Sequence, residues 1–368
     1  MQRHIMNTLK TEQNTLSHKI TSKKRVFLGM SGGVDSSVSA CLLKEQGYDV
    51  TGVFINVWQP SWINCTSKED RRDAMRVASL LDIPFYTLDL EEEYKKEVVD
   101  YMIDEYKKGK TPNPDVMCNQ YVKFGGFFDW AIKNGADYVA TGHYAQIKDG
   151  KLYAGTDKNK DQSYFLYTLK KEHLNKTLFP VGNIEKTQVR ELAKKFNLPN
   201  AIKKDSQGLC FIGKVDIKDF LARFIQEKKG DVLDEKGNII GSHNGAFFFT
   251  IGERHGFEIF KKTPNDAPYY VISKDIDKNT ITVANKNEKG ELPSSVKIIK
   301  LKNVNWNQGS VPMKVWLKAR SRYREELQDI KVISENEVEF KNEQYTISSG
   351  QSLVIYDGEL CLGGGSIA

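Results

Sequence analysis

Arg25-Val26-Phe27-Leu28-Gly29-Met30-Ser31-Gly32-Gly33-Val34-Asp35-Ser36-Ser37 divides into a short apolar strand, Arg25 to Met30, and a tight polar loop, Ser31 to Ser37. A helix is predicted next, from Val38 to Gln46. Val38, Leu42 and Leu43 recur at helical spacing and Gly47 supplies the C-cap. Strand, glycine loop and helix in that order make an anion cradle. Paired glycines let successive backbone N–H groups converge on one point. The helix N-terminus adds unpaired N–H groups and partial positive charge. Ser36 and Ser37 either cap the helix or donate to phosphate. Asp35 repels phosphate directly, so its place is beside a magnesium ion that neutralises phosphate charge. The Gly-x-x-x-x-Gly-Lys-Ser/Thr of the common phosphate loop is absent. A turn that needs its glycines only for geometry is the plain alternative.

Outward from this unit, strands alternate with helices. Strands are predicted over 49–57, 84–90 and 137–141, and helices over 68–81, 91–108, 124–134 and 188–196. That alternation implies an α/β domain with a parallel sheet covered on both faces. Ligands of such sheets sit at the carboxyl ends of the strands. The Ser31 loop and Gly142-His143 both fall at that edge, so a shared site is expected. A helix from Val215 to Glu227 precedes a shift in composition near Lys228-Lys229-Gly230. Beyond it Gly, Asn and Lys punctuate short strands. Past about residue 297 helical periodicity is absent, and segments such as 314–318 and 352–356, with an Asp357-Gly358 turn, read as antiparallel hairpins of a small barrel. The expected organisation is therefore a basic, disordered lead-in over 1–24, a catalytic domain over 25–228, a small middle domain over 229–296 and a C-terminal β-barrel over 297–368.

The 368 residues carry a net charge of +6. That balance is compatible with nucleic acid without arguing for it alone. No apolar run approaches the roughly 20 residues needed to span a bilayer, and residues 1–24 lack a signal-peptide core. No membrane association and a cytoplasmic location are expected. Cys41, Cys65, Cys118, Cys210 and Cys361 are far apart, with no Cys-x-x-Cys pair. A structural zinc site or secreted disulfide framework is not expected, and no metal ligands are assigned.

Four further stretches carry chemistry. In Thr111-Pro112-Asn113-Pro114-Asp115-Val116-Met117-Cys118-Asn119 the prolines stiffen a loop from which Asn113 and Asp115 can read a base edge or orient a reacting group. Lys123 nearby favours a Cys118 thiolate; a buried structural cysteine is the alternative. Lys204-Asp205-Ser206-Gln207-Gly208-Leu209-Cys210-Phe211-Ile212-Gly213 sets Cys210 either for reaction or for packing. Lys160-Asp161-Gln162 precedes an apolar run. Lys318-Ala319-Arg320-Ser321-Arg322-Tyr323-Arg324 interleaves basic residues with an aromatic, which suits phosphate contact plus base stacking or a solvated strand face.

The Ser31–Ser36 loop resembles the signature of the PP-loop ATP pyrophosphatases, which cleave ATP between its α- and β-phosphates and adenylate a substrate oxygen. Ser-Gly-Gly-Val-Asp-Ser, Asn-Pro-Asp-x-x-Cys-Asn, Thr-Gly-His-Tyr, Lys-Asp-Gln-Ser-Tyr-Phe-Leu, Gly-x-Cys-Phe-Ile-Gly, Gly350-Gln351-Ser352 and Cys361-Leu362-Gly363-Gly364-Gly365 follow in one order. That order resembles the bacterial tRNA-specific 2-thiouridylase family over nearly the whole chain after residue 24. The resemblance implies an adenine nucleotide alpha hydrolase-like catalytic domain. It implies that ATP, with associated Mg2+, adenylates the C2 oxygen of the wobble uridine in tRNA. Cys210 would carry a persulfide received from a cysteine desulfurase or sulfur-relay protein, and Cys118 would resolve the intermediate as a disulfide with Cys210. Asp115 would handle a proton or orient the uracil.

By the same resemblance Gly29, Met30, Ser31, Gly32, Gly33, Val34, Asp35, Ser36, Ile55 and Gly142 fall at ATP-binding positions. Asn113, Pro114 and Asp115 fall in the base-contacting loop. His143, Lys160, Asp161, Gln162, Arg322, Tyr323 and Gln351 fall at tRNA-contacting positions. Ile55 stands where members often have Met, and Glu253 and His255 where they often have Gln and Lys. Two competing readings are another PP-loop enzyme, such as a small-molecule amide synthetase that needs neither cysteine, and a tRNA-binding protein without catalysis.

Overall fold

Strand β1 (Arg25–Gly29) forms at the centre of the first sheet because its side chains alternate between two apolar cores. Val26 and Leu28 enter one, Phe27 the other. The computed structural model describes residues 23–63, 67–205, 216–261, 263 and 266–368. Cys65, Cys210 and the expected lead-in up to residue 22 lie outside the described residues.

Helix α1 (Val34–Glu45) begins four residues earlier than the apolar spacing predicts. Gly33 takes the N-cap with extended backbone (φ −82°, ψ 165°), which places Asp35, Ser36 and Ser37 inside the first turn. The helix ends as expected. Gly47 is left-handed (φ +85°), and the Gly47 and Tyr48 N–H groups donate to the Lys44 and Leu43 carbonyls. Next come β2 (Asp49–Asn56), α2 (Ser67–Leu80) and β3 (Phe85–Asp89). Two longer helices follow, α3 over 91–107 and α4 over 114–133, each widened along part of its length. The stretch expected to stay a loop through Asn119 is helical from Pro114. Pro114 occupies the first helical position, where its missing N–H costs nothing, and Asn113 Oδ1 accepts from Val116 N.

The chain continues through β4 (Tyr138–Ala140), the hairpin β5 (Ala145–Lys148) and β6 (Lys151–Ala154), β7 (Thr177–Leu178) and helix α5 (Lys186–Lys195). The first sheet is parallel, in the order β3-β2-β1-β4-β7. Its order reverses beside β1 and β4, which opens a crevice at their carboxyl ends. Helix α6 (Ile217–Leu221) is shorter than predicted, because i→i+3 bonds at Arg223 and Phe224 tighten and end it.

The middle sheet comprises β8 (Gly230–Leu233), β9 (Ile239–His243), β10 (Phe257–Ile259), β11 (Tyr269–Asp275) and β12 (Thr280–Asn285). Its order is β10-β9-β8-β12-β11, around Val232, Phe249, Val271 and Ile281. The C-terminal strands are β13 (Val296–Trp306), β14 (Leu317–Arg320), β15 (Gln328–Ser334), β16 (Glu337–Gln344), β17 (Ser352–Asp357) and β18 (Leu360–Ile367). Pairing of β13 with β18 closes them into the expected antiparallel barrel. The strand expected at Lys314 starts only at Leu317, because Lys314 is left-handed (φ +58°).

Strand pairing, a buried ion pair and hydrogen bonds tie the barrel to the first domain. The β5–β6 hairpin extends the barrel sheet through the Tyr153–Leu360 pair. Arg320 points inward and its Nη2 meets Asp161 Oδ2 at 2.6 Å, with both side chains no more than 10% exposed. Asp161 also accepts from the N–H groups of Gly155 and Ser163. The Tyr164 hydroxyl lies 2.9 Å from the carbonyl oxygens of both Ser321 and Ser352.

Candidate active site

A cavity of about 550 Å3 opens at the carboxyl ends of β1, β2 and β4. Its floor is the Gly29–Ser36 loop, with Gly142 and His143 facing it from the end of β4. Only Gly32 in the loop has a left-handed backbone (φ +73°), and a Cβ there would lie 2.1 Å from the Asp70 carbonyl oxygen. A Cβ on Gly142 would come within 2.8 Å of the Ser36 nitrogen. The β4 end thus packs directly on the N-terminus of α1, at a distance only glycine allows. Ser37 is turned away from the cavity. Its hydroxyl donates to the Gly33 carbonyl and accepts from Asn200 Nδ2, which also donates to the Gly32 carbonyl.

Asp35 faces cations and a phenol. Lys186 Nζ lies 2.6 and 2.8 Å from its two carboxylate oxygens, and the Tyr144 hydroxyl donates to Oδ1 at 2.7 Å. Burial and the adjoining Asp35 charge push the Tyr144 phenol well above its ordinary range. Lys186 also reaches Asp205, which pairs with Lys160 and Arg190 at 2.7 and 2.6 Å. Burial pushes the Asp205 carboxyl up, but the Lys160 and Lys186 ion pairs outweigh it and hold the group well below the usual carboxylate range. Among the described residues no three Asp, Glu, His or Cys side chains cluster as metal ligands. Asp35 is a cavity-lining carboxylate that already faces an ammonium.

On the opposite wall Asp115, Asn119 and Lys123 line the cavity at i, i+4 and i+8 of α4. Lys123 Nζ lies 3.4 Å from His143 Nε2, and Thr141 Oγ1 lies 2.7 Å from Nδ1. An ammonium only donates, so Nε2 accepts and the ring proton sits on Nδ1, donating to Thr141. Burial, reinforced by Lys123, pulls the His143 pKa well below its ordinary value, so the imidazole is neutral. Ile55 lines the apolar side with Phe54 and Val57, and Phe165, Tyr323 and Arg324 form the rim. No local signal in the sequence points to Lys186 or Asn200; tertiary packing alone brings them to the loop.

Residues 24–214 match the family model described as "tRNA methyl transferase HUP domain", 218–285 the "tRNA methyl transferase PRC-barrel domain" and 296–367 the "Aminomethyltransferase beta-barrel domain". The "tRNA-specific 2-thiouridylase MnmA" of Streptococcus mutans is 45% identical over 359 residues, 94% of this chain and 95% of that protein. Its Streptococcus thermophilus counterpart is 44% identical over the same shares, and that of Bacillus subtilis 43% over 93% and 94%. The chain belongs to the tRNA-specific 2-thiouridylase family.

The 2-thiouridylase positions read from the sequence do not all gather at the cavity. Gly29, Met30, Ser31, Gly33, Val34, Asp35, Ser36, Ile55, Asp115, Gly142, His143, Lys160, Gln162 and Tyr323 line it. Asp161 sits elsewhere, buried beneath Arg320. Arg322 is spent inside the protein, its Nη2 donating to the Ile251 and Thr346 carbonyls and its Nε 3.4 Å from Gln351 Oε1. Asn113 caps α4. Cys118 is fully buried in the apolar core that also holds Val116 and Val122. Its expected disulfide partner Cys210 lies outside the described residues. Among the described residues no helix is long and apolar enough to cross a membrane.

Proposed function

We propose that the chain is a tRNA-uridine 2-sulfurtransferase that activates the wobble uridine with ATP. The supporting observation is the meeting of the phosphate cradle, Asp115 and the Phe165–Tyr323 rim in one cavity. Backbone N–H groups of the Ser31–Ser36 loop and the α1 N-terminus would hold the triphosphate. Ile55 would lie against the adenine. Mg2+, bound to the phosphates, would screen their charge. The uracil C2 oxygen would attack the α-phosphorus and release pyrophosphate, leaving a C2–O–AMP bond. Asp115 would orient the ring, and neutral His143 would offer polarity without a charge that competes with Lys123.

A persulfide on Cys210, supplied by a cysteine desulfurase or sulfur-relay protein, would then add its terminal sulfur at C2 and expel AMP. Cys118 thiolate would attack the Cys210 sulfur, form a disulfide and release the thiocarbonyl; an external thiol would reduce the disulfide. The descriptions of the matching family models speak of methyl transfer. A Ser-Gly-Gly-Val-Asp-Ser cradle at a helix N-terminus suits a triphosphate instead.

The test is single-turnover reaction with ATP, magnesium, unmodified tRNA, and a cysteine desulfurase with cysteine as the persulfide source, read by mass spectrometry. AMP formed only with tRNA, together with 2-thiouridine at the wobble base, is expected. AMP without thiolation would move the reading to another PP-loop substrate. Gly32→Ala is expected to slow tRNA-dependent AMP release about 100-fold, because a Cβ against the Asp70 carbonyl must shift the cradle. A wild-type rate would remove the cradle from the mechanism.

A further inference from the structure

The turn after β14 contains two arginines with opposite fates. Arg322 faces inward, where its guanidinium joins the Ile251 carbonyl of the middle domain to the Thr346 carbonyl of the barrel. Glu325 fixes this geometry by accepting from the Ser321 N–H, the Ser321 hydroxyl and the Arg322 N–H. Arg324 is exposed and lines the cavity. Its backbone is left-handed (φ +63°), a conformation that costs a non-glycine residue about 1 kcal/mol or more. Its guanidinium lies 5.0 Å from the centre of the Tyr323 ring, which in turn lies 4.6 Å from Phe165. Among the described residues Arg324 makes no ion pair. A strained backbone thus presents a stacked, unneutralised guanidinium at the mouth of the site.

We propose that Arg324 holds a backbone phosphate of the tRNA anticodon loop at the cavity mouth, and that Arg322 is an internal strut. The assignment rests on the tRNA reading above. A planar guanidinium pre-organised on an aromatic ring suits phosphate, because it loses little further freedom on binding.

The experiment measures binding of unmodified tRNA to wild type, Arg324→Gly, Arg324→Lys and Arg322→Gln across a salt series, with thermal melts of each. Arg324→Gly is expected to melt at or above the wild-type temperature, because glycine adopts φ +63° without strain. Its tRNA affinity is expected to fall about tenfold, and the slope of log affinity against log salt to lose roughly 0.7, one phosphate contact on a single strand. Arg324→Lys is expected to keep the slope and lose part of the affinity. Arg322→Gln is expected to lower the melting temperature with the slope intact. Wild-type affinity and slope in Arg324→Gly would overturn the assignment, as would a slope lost in Arg322→Gln without loss of stability. Wild-type protein that fails to bind tRNA would overturn the functional reading and this assignment together.

Discussion

Cys210→Ala is expected to lower wobble-uridine thiolation by about 10⁴-fold while tRNA-dependent pyrophosphate release in a single turnover stays within a few-fold of wild type. On the proposed mechanism the two readouts separate, because adenylation would use the cradle and Asp115 whereas sulfur transfer would need a covalent carrier. Nucleoside mass spectrometry and pyrophosphate release from one reaction mixture decide the matter. Full thiolation in the variant would end the persulfide assignment, and parallel loss of both products would make Cys210 structural. Cys118 enters this scheme from an unusual starting point. Its thiol is fully buried in the apolar core that also holds Val116, Val122 and Phe127.

Asp161→Ala is expected to destabilise the protein by about 3–5 kcal/mol, seen as a lowered midpoint of urea unfolding. The substitution leaves the Arg320 guanidinium buried without its carboxylate and strips the Gly155 and Ser163 N–H groups of their acceptor. Asp161→Leu combined with Arg320→Met is expected to recover the part of the loss that comes from the unpaired guanidinium, because an apolar pair removes both charges together, while the Gly155 and Ser163 N–H groups stay without an acceptor. A stable Asp161→Ala variant with weakened tRNA binding would instead return Asp161 to the RNA-facing role implied by its position in Lys160-Asp161-Gln162.

The candidate site was legible where its chemistry is local. Arg25 to Ser36 carry strand, glycine turn and helix in one run, so β1, the cradle and α1 could be read from composition and spacing alone. The start of α1 was misplaced at Val38. Asp35, Ser36 and Ser37 look like loop residues by propensity, yet an N-cap at Gly33 draws them into the first turn. The same happened at Pro114, where two prolines suggested a loop but the second took the first helical position. The basic run at 318–324 left the fates of its side chains open. Alternation along β14 and the tight turn at Glu325 send Arg320 and Arg322 inward and Arg324 outward.

The sequence by itself determined the parallel α/β domain, the cradle, the C-terminal barrel and the order of the family's motifs. Each of these rests on residue types within a few positions of one another, where backbone sterics and apolar periodicity act. Only the tertiary structure decided what faces Asp35, which arginine meets solvent, and how the barrel joins the first domain. Lys186, Asp205 and Asn200 lie more than 150 residues from the loop they support. Tyr153 is likewise remote in sequence from Leu360, the strand residue it pairs with. Such contacts are set by chain topology and by the need to pair every buried charge and N–H, and no local pattern of residues carries that information.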